Sequence, residues 1–336
     1  MKLIFSIFRH HIILLAAASL LLAYFIYALQ PVSAEGGTAI EIKIERGDEL
    51  APIIDTLESR GVIRSARAFK WYAVLSGGAH LLKPGYYRVS SAEGATAIFE
   101  KFVRGPEDLT VPVIEGATLL DIDSQLVRLG IIPENSFKNL AVKDFLADYP
   151  FLGKAKSFEG FLLPDTYRFA LHSDPKDVLK KFLDNFRNKA LPHLEAASKD
   201  IYKNLIIASL IEKEVPDQGE DRAIVSGIIT RRLNIGMGLQ IDATVLYAKC
   251  GGRLLSCPEL RLARSDFSNP SPYNTYAHRG LPPTPISNPG VSAIIAAMKP
   301  KKTNYLFYLS DPKTKRTIFS QDFDEHNDNR AKYLGL

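Results

Sequence analysis

KIERGDELAPIIDTLESRGVI, Lys43 to Ile63, aligns without gaps to PVIEGATLLDIDSQLVRLGII, Pro112 to Ile132. Gly47, Leu50, Ile53, Leu57, Gly61 and Ile63 of the first stretch match Gly116, Leu119, Ile122, Leu126, Gly130 and Ile132 of the second. Each copy reads as a strand, a glycine turn, and a helix with apolar residues at i, i+3 and i+7 that a glycine ends. Each is later followed by a turn and an aromatic strand, KPGYYRV from Lys83 and EGFLLPDTYRF from Glu159. Two copies are too few for a solenoid, which needs about three. The repeat points instead to a duplicated small α+β unit, suited to binding and spacing, with nothing in either copy that looks catalytic.

Upstream of the repeat, SAEGGT (Ser33 to Thr38) reads as a short tether. Before it, IILLAAASLLLAYFIYAL (Ile12 to Leu29) is uncharged over eighteen residues. That approaches the ~20 needed to cross a bilayer as a helix. It exceeds the ~7–15 residues of a signal-peptide core. Lys2, Arg9, His10 and His11 precede the stretch, so the N-terminus is expected in the cytoplasm and residues from Gln30 onward outside it. Val32-Ser33-Ala34 resembles a cleavage site, which makes a cleaved signal peptide the rival reading; length favours a retained anchor.

Downstream, the texture changes near Pro175. DPKDVLKKFLDNFRNKALPHLEAA (Asp174 to Ala197) reads as an amphipathic helix, followed by an oily helix, NLIIASLIEKE, and a second from about Glu220 to Leu233. GLQIDATV reads as a short strand with Gln240 and Asp242 on one face. A proline-rich loop, the helix VSAIIAAM, the strand NYLFYLS and the segment TIFSQDFDEHN complete the chain. Helices and strands mix without a βαβ rhythm, so the fold class is α+β rather than a doubly wound sheet. A net charge of +5 over 336 residues, with basic residues interspersed among acids, argues against a nucleic-acid partner. Cys250 and Cys257 fit no zinc pattern. Outside the cytoplasm they are either a local disulfide or two free thiols.

The oily helix carries Glu212 and Glu214. With ~100° per residue, Ile206, Ile207, Leu210 and Ile211 centre near ~170° on the helical wheel and Glu214 falls at ~180°, inside that stripe. Glu212 falls at ~340°, on the opposite side. A carboxylate against an apolar wall is penalised in its charged form, so its pKa rises. A carboxylic acid that keeps its proton near neutral pH can protonate a leaving oxygen. Pro216 is expected to end the helix at about Val215, leaving Glu214 at the mouth of a cleft. The bland alternative is a solvated helix end, or a pair with Arg222, Arg231 or Arg232. The two glutamates cannot flank one bond, because positions i and i+2 do not face each other. Ser209 and Lys213 could form a Ser–Lys dyad, but the spacing is not Ser-x-x-Lys and the companion motifs are missing. His326 in DEHND has carboxylate neighbours, an arrangement that a surface polar cluster explains equally well. Tyr273, Asn274, Thr275 and Tyr276 in SPYNTY offer aromatic, amide and hydroxyl groups of the kind found in sugar subsites.

Taken together, ASLIEKE (Ala208 to Glu214), RRLNIGMGLQIDATVLYA, SPYNTYAHRGLPP, FSQDFDEHN and EGFLLPDTY (Glu159 to Tyr167) resemble the motifs of the YceG-like family of endolytic murein transglycosylases. The resemblance runs from the membrane segment to the end of the chain. It implies a single-pass inner-membrane protein facing the periplasm, with a LysM-like subdomain and a lytic transglycosylase domain that cuts within peptidoglycan glycan strands. The implied organisation is a cytoplasmic terminus (1–11), a transmembrane helix (12–32), a tether (33–38), a LysM-like subdomain (39–106), a second repeat-like unit (107–174) and a catalytic domain (175–336). Carried over, the catalytic residue is Glu214, and the substrate-binding positions are Gln240, Asp242, Tyr273, Asn274 and Tyr276. No metal or organic cofactor is implied; cell-wall synthases are suggested partners. Three positions depart from the family pattern: Val215-Pro216 after the E-K-E triplet, Ala243 where proline is usual, and Ile318 where a histidine is expected. Two rival functions remain at this point, a hydrolase in which Asp242 activates water and a wall-binding scaffold without activity.

Overall fold

The computed structural model describes residues 2–34, 36–78, 80–196, 200–216 and 220–335, with side chains from residue 10 onward. Glu35 of the tether, Ala197 at the end of the expected amphipathic helix, and Asp217 to Gly219 beyond Pro216 lie outside the described residues. The chain divides into two compact units, 1–109 and 110–336, and both mix helices with small sheets as α+β.

The first unit contains α1 (Lys2–Leu29), β1 (Ala39–Ile44), α2 (Leu50–Ser59), α3 (Ala66–Leu75), β2 (Gly85–Ser90) and α4 (Ala95–Arg104). β1 and β2 are antiparallel, with Ala39 opposite Ser90 and Ile44 opposite Gly85. Strand alternation puts Ile42, Ile44, Tyr87 and Val89 in a core with Ile53, Ile54 and Leu57 of α2, Phe69 of α3, and Phe99 and Phe102 of α4. α1 behaves differently. Its apolar run His10–Leu29 is long enough to cross a membrane, yet Leu14, Leu15, Leu20 and Leu21 stand exposed. Water gives such a surface no gain; hydrocarbon does.

The second unit begins with the other copy of the repeat. β3 (Leu109–Val113) and β4 (Asp165–Phe169) form a two-stranded sheet, and α5 (Leu119–Arg128) takes the place of α2. The aligned glycines share a backbone role. Gly47 and Gly116 have φ of 96° and 76°, and Gly61 and Gly130 have φ of 68° and 73°. A side chain is strained there, so glycine makes both the turn into the helix and the turn out of it. The aligned Ile53 and Ile122, Leu57 and Leu126, and Ile63 and Ile132 are buried in both copies.

After the short α6 (Ser136–Asn139) and β4, the unit continues through α7 (Pro175–Lys189), α8 (Leu191–Glu195), α9 (Ile201–Glu214), α10 (Asp221–Asn234), α11 (Asp242–Lys249) and α12 (Val291–Met298). It closes with the antiparallel pair β5 (Phe307–Ser310) and β6 (Thr317–Ser320), then α13 (Phe323–Leu334). The expected amphipathic helix is two helices, α7 and α8, with Pro192 in the first turn of the second. α9 is central: α8, α10, α11 and α12 all pack on it. Consequently Leu205 to Ile211 are buried on every side, Ser209 included. Ser209 Oγ donates to Ile206 O at 2.7 Å and accepts from Ile286 N at 3.1 Å, while Lys213 Nζ donates to Gly116 O at 3.3 Å. Both polar groups serve the packing of the unit, and no Ser–Lys dyad forms.

Two buried side chains fasten the repeat copy to this helical layer. Asn288, ahead of α12, accepts from Gly160 N and Leu162 N at 2.9 Å each, and donates to Ala117 O at 2.9 Å. Glu159 accepts from Leu119 N (2.9 Å), Asn288 Nδ2 (3.1 Å) and Tyr247 O–H (3.0 Å). The segment EGFLLPDT is thus a structural joint. Cys250 and Cys257 form a disulfide, Cα–Cα 5.5 Å, that pins the loop after α11.

Candidate active site

Asp200 caps α9, its carboxylate accepting from Lys203 N at 3.1 Å, and the helix ends at Glu214. Val215 is extended, as expected of a residue before proline. The chain therefore turns away just after Glu214 and leaves its side chain, partly buried, in a cleft of about 520 Å³. Arg232, Gln240, Asp242, Tyr276, Phe307, Tyr308, Phe323, His326 and Arg330 share that lining.

Tyr308, on β5, donates its O–H to Glu214 Oε2 at 2.6 Å. Among the described residues nothing bonds to Oε1, so one carboxyl oxygen is held and the other is open. Burial pushes the Glu214 pKa up to about 7; the Asp242 charge adds to the rise, while the Tyr308 hydrogen bond and the Arg232 charge oppose it. Arg232 does not pair with Glu214. Its Nε donates to Leu306 O at 2.7 Å and its Nη1 to Leu239 O at 2.6 Å. Its guanidinium also lies 5.1 Å from the centre of the Phe307 ring. This buried arginine fastens the approach to β5, and with it Tyr308, to the loop before α11.

Gln240 and Asp242 both line the cleft, but not from a strand. Among the described residues no strand lies alongside Leu239–Ile241. Their backbone is taken up by Arg232, by Thr275 O, which accepts from Gln240 N at 3.3 Å, and by Thr275 Oγ1, which accepts from Ile241 N at 2.9 Å. Gln240 adopts a φ of 51°, unusual for a residue with a side chain, and Asp242 opens α11. A carboxylate in the first turn of a helix meets the positive end of its dipole. Tyr276 donates to Asp242 Oδ1 at 2.6 Å.

Tyr273 and Asn274 are not in the lining. Asn274 is fully buried; its Nδ2 donates to Phe267 O and Asn269 O, and its Oδ1 accepts from Tyr276 N. It shapes the loop that presents Tyr276. Tyr273 shares a 2.8 Å hydrogen bond with Thr284 Oγ1 and packs against Tyr247. An amide in a turn-rich loop is more often spent on that loop's backbone than on a ligand. Ile318, on β6, where a histidine was expected, pairs with Leu309 of β5 and is likewise outside the lining.

Glu212 points away from the cleft, as its place on the wheel implies, into a second buried environment, because α9 is covered all round. Its side chain is 5% exposed, pairs with Arg222 at 2.8 Å and accepts from Gly290 N at 2.9 Å. Removing one partner of a buried pair leaves an uncompensated charge. Glu212→Gln is expected to lower unfolding free energy by about 3 kcal/mol, read by denaturant titration, while the folded fraction keeps its catalytic rate.

Sequence reasoning missed Tyr308, Arg232, Phe307, His326 and Arg330. Tyr308 and the α13 residues come from segments far along the chain. Arg232 offered one signal, a second arginine on an otherwise apolar helix face. Among the described residues no group of His, Cys, Asp and Glu could hold a metal ion.

Comparison with known proteins places this geometry in a family. The model of the YceG-like family matches residues 42–332. An endolytic murein transglycosylase of Bacillus subtilis (strain 168) is 30% identical over 333 residues, 91% of this chain and 88% of that protein. One from Streptococcus pneumoniae (strain ATCC BAA-255 / R6) is 27% identical over 348 residues, 93% of this chain but 61% of its own length. A solved YceG-like protein of Listeria monocytogenes superposes with a TM-score of 0.55 at 29% identity, covering 88% of this chain and 100% of that one. With a family model spanning most of its length and both repeat copies inside the match, this chain belongs to the YceG-like family.

Proposed function

We propose that this protein is a membrane-anchored endolytic lytic transglycosylase that cleaves the bond between N-acetylmuramic acid and N-acetylglucosamine within peptidoglycan strands. One observation carries the reading: the Glu214 carboxyl lies in a cleft with one oxygen held by Tyr308 and the other open, and burial pushes its pKa up to about 7. The protonated Glu214 gives its proton to the glycosidic oxygen as the C1–O bond breaks. The resulting carboxylate then takes the proton of the muramic C6 hydroxyl, whose oxygen bonds to C1. The products are a free 4-hydroxyl on one fragment and a 1,6-anhydro end on the other. No water is consumed, and Glu214 ends protonated as it began. The sugar supplies its own nucleophile, so the second carboxylate of the usual glycosidase pair is unnecessary.

The remaining parts of the reading follow from the first unit. In this reading α1 is the anchor, and the basic residues before it support a periplasmic position for the larger unit. The β1–α2–α3–β2 order with an antiparallel strand pair supports a LysM-like glycan-binding module. A catalytic unit tethered at the membrane suits nascent strands, with cell-wall synthases as partners.

Mass analysis of muramic ends decides the chemistry. Strands digested by the full chain in detergent are expected to carry ends lighter by one water. Fully hydrated reducing ends would replace this reading by hydrolysis, with Asp242, which shares the cleft, activating water.

Burial of Glu214 sets the pH range and Tyr308 tunes it. Glu214 acts as an acid only while protonated, so activity is full below its folded pKa and is lost as pH rises through about 7. Tyr308→Phe removes a donor that favours the carboxylate, so the Glu214 pKa rises. The alkaline limb of kcat/KM is expected to move up by about one pH unit. The maximum rate should fall about tenfold, because the carboxylate formed after proton donation loses a charge-assisted hydrogen bond. An unmoved limb would remove Tyr308 from the proton chemistry.

A further inference from the structure

α13 forms one wall of the cleft and is built unlike the others. None of its residues is buried, so its side chains are not there to hold a core. Yet His326 and Arg330, one helical turn apart, both line the cleft beside Glu214. Arg330 makes no ion pair or hydrogen bond among the described residues, although Glu214 and Asp242 lie in the same cleft. The other cleft arginine, Arg232, is committed to backbone carbonyls. His326 stacks on Phe307 with ring centres 5.1 Å apart, and its Nδ1 is buried without a partner. An imidazolium would need an acceptor there, so burial and the nearby Arg330 charge hold the ring neutral and its pKa below the usual histidine range. The tautomer with the proton on Nε2 leaves an N–H to give, and Nε2 has no acceptor among the described residues. An unpaired guanidinium and an unpaired imidazole N–H therefore share the cleft with no acidic side chain answering them.

We propose that this wall, through Arg330 and His326, binds the carboxylate-bearing substituent of the muramyl residue, making strand recognition depend on that negative charge. The inference rests on the transglycosylase reading for its substrate. Two sources present the same group: the lactyl carboxylate of a peptide-free strand, and a carboxylate of an attached stem peptide. A planar guanidinium binds a carboxylate in bidentate fashion, with the imidazole N–H as a third donor.

The test is equilibrium binding of fluorescently labelled strands to the full chain in detergent, in a Glu214→Gln background that prevents turnover. Three probes are compared: strands with stem peptides, peptide-free strands with free lactyl carboxylates, and strands of either kind with every carboxylate amidated. Arg330→Ala is expected to weaken binding of a carboxylate-bearing probe by about tenfold or more. It should leave the amidated probes unchanged, and Arg330→Lys should recover part of the loss. His326→Ala should act in the same direction with a smaller loss. The bare-strand probe shows whether the lactyl group suffices; loss confined to peptide-bearing strands assigns the site to the peptide. Equal weakening on charged and amidated probes, or no weakening on any, overturns the proposal. Binding is read without catalysis, so this outcome is separate from that of the product analysis: an enzyme releasing hydrated ends could still select for charge, and one releasing anhydro ends could ignore it.

Discussion

Glu214→Gln is expected to reduce strand cleavage by about 10³-fold while leaving the protein folded and able to bind glycan. The substitution keeps the size of the side chain and its hydrogen bond to Tyr308, and deletes only the transferable proton. The size of the loss follows from roles that one group plays twice. It protonates the leaving oxygen and later accepts the C6 hydroxyl proton, and no second carboxylate is placed to take over the first task. Asp242 shares the cleft, but its Oδ1 is engaged by Tyr276. Release of shortened strands, counted by mass over time with unfolding monitored in parallel, makes the comparison. Activity within tenfold of wild type would point to a different acid, and no cleavage by the unsubstituted chain would point to a scaffold. The comparison with Glu212→Gln separates chemistry from stability, because that change acts on the buried Arg222 pair on the far side of the helix.

Glu159→Ala is expected to be the most destabilising single change in the second unit, by about 4 kcal/mol. It strands three donors at once: Leu119 N, the Asn288 amide and the Tyr247 hydroxyl. The melting temperature should fall by about 10 °C for a unit of this size. Glu159→Gln should be nearly neutral, since its oxygen still accepts from Leu119 N and Asn288 and its amide can donate to the Tyr247 oxygen. Titration adds a signature. Burial raises the Glu159 pKa to about 8 from 4.5. Its folded value lies above its unfolded value, so its contribution to stability is full below about pH 4.5 and declines as pH rises to about 8. Removing the titration in Glu159→Gln is expected to flatten stability over that window. Denaturant unfolding at several pH values provides the measurement; an alanine variant as stable as wild type would show that EGFLLPDT is not the joint.

The parts of the fold written in local pattern were legible. The repeat could be read because glycines at left-handed positions and apolar residues at helical spacing are both set by short-range geometry, and both copies fold alike. The end of α9 at Glu214 was legible because proline forces the residue before it out of the helix. Where a side chain's surroundings depended on distant segments, periodicity misled. The wheel put Glu212 opposite the apolar stripe but could not say what covers that side, and four helices enclose α9. GLQID alternates like a strand, yet with no partner strand nearby its backbone is bonded by Arg232 and Thr275, and Asp242 begins a helix. Asn274 looked like a sugar contact and is a loop brace. Tyr308 lies 94 residues beyond Glu214. Nothing in NYLFYLS says which helix end it will face.

The most direct test is titration of the Glu214 carboxyl itself, by carbon NMR of the full chain labelled at its glutamate side chains. Its resonance is assigned by its disappearance in Glu214→Gln. A midpoint at about 7 is the expected result. A midpoint near the ordinary 4.5 would mean that the cleft delivers no proton at neutral pH, and would contradict the account.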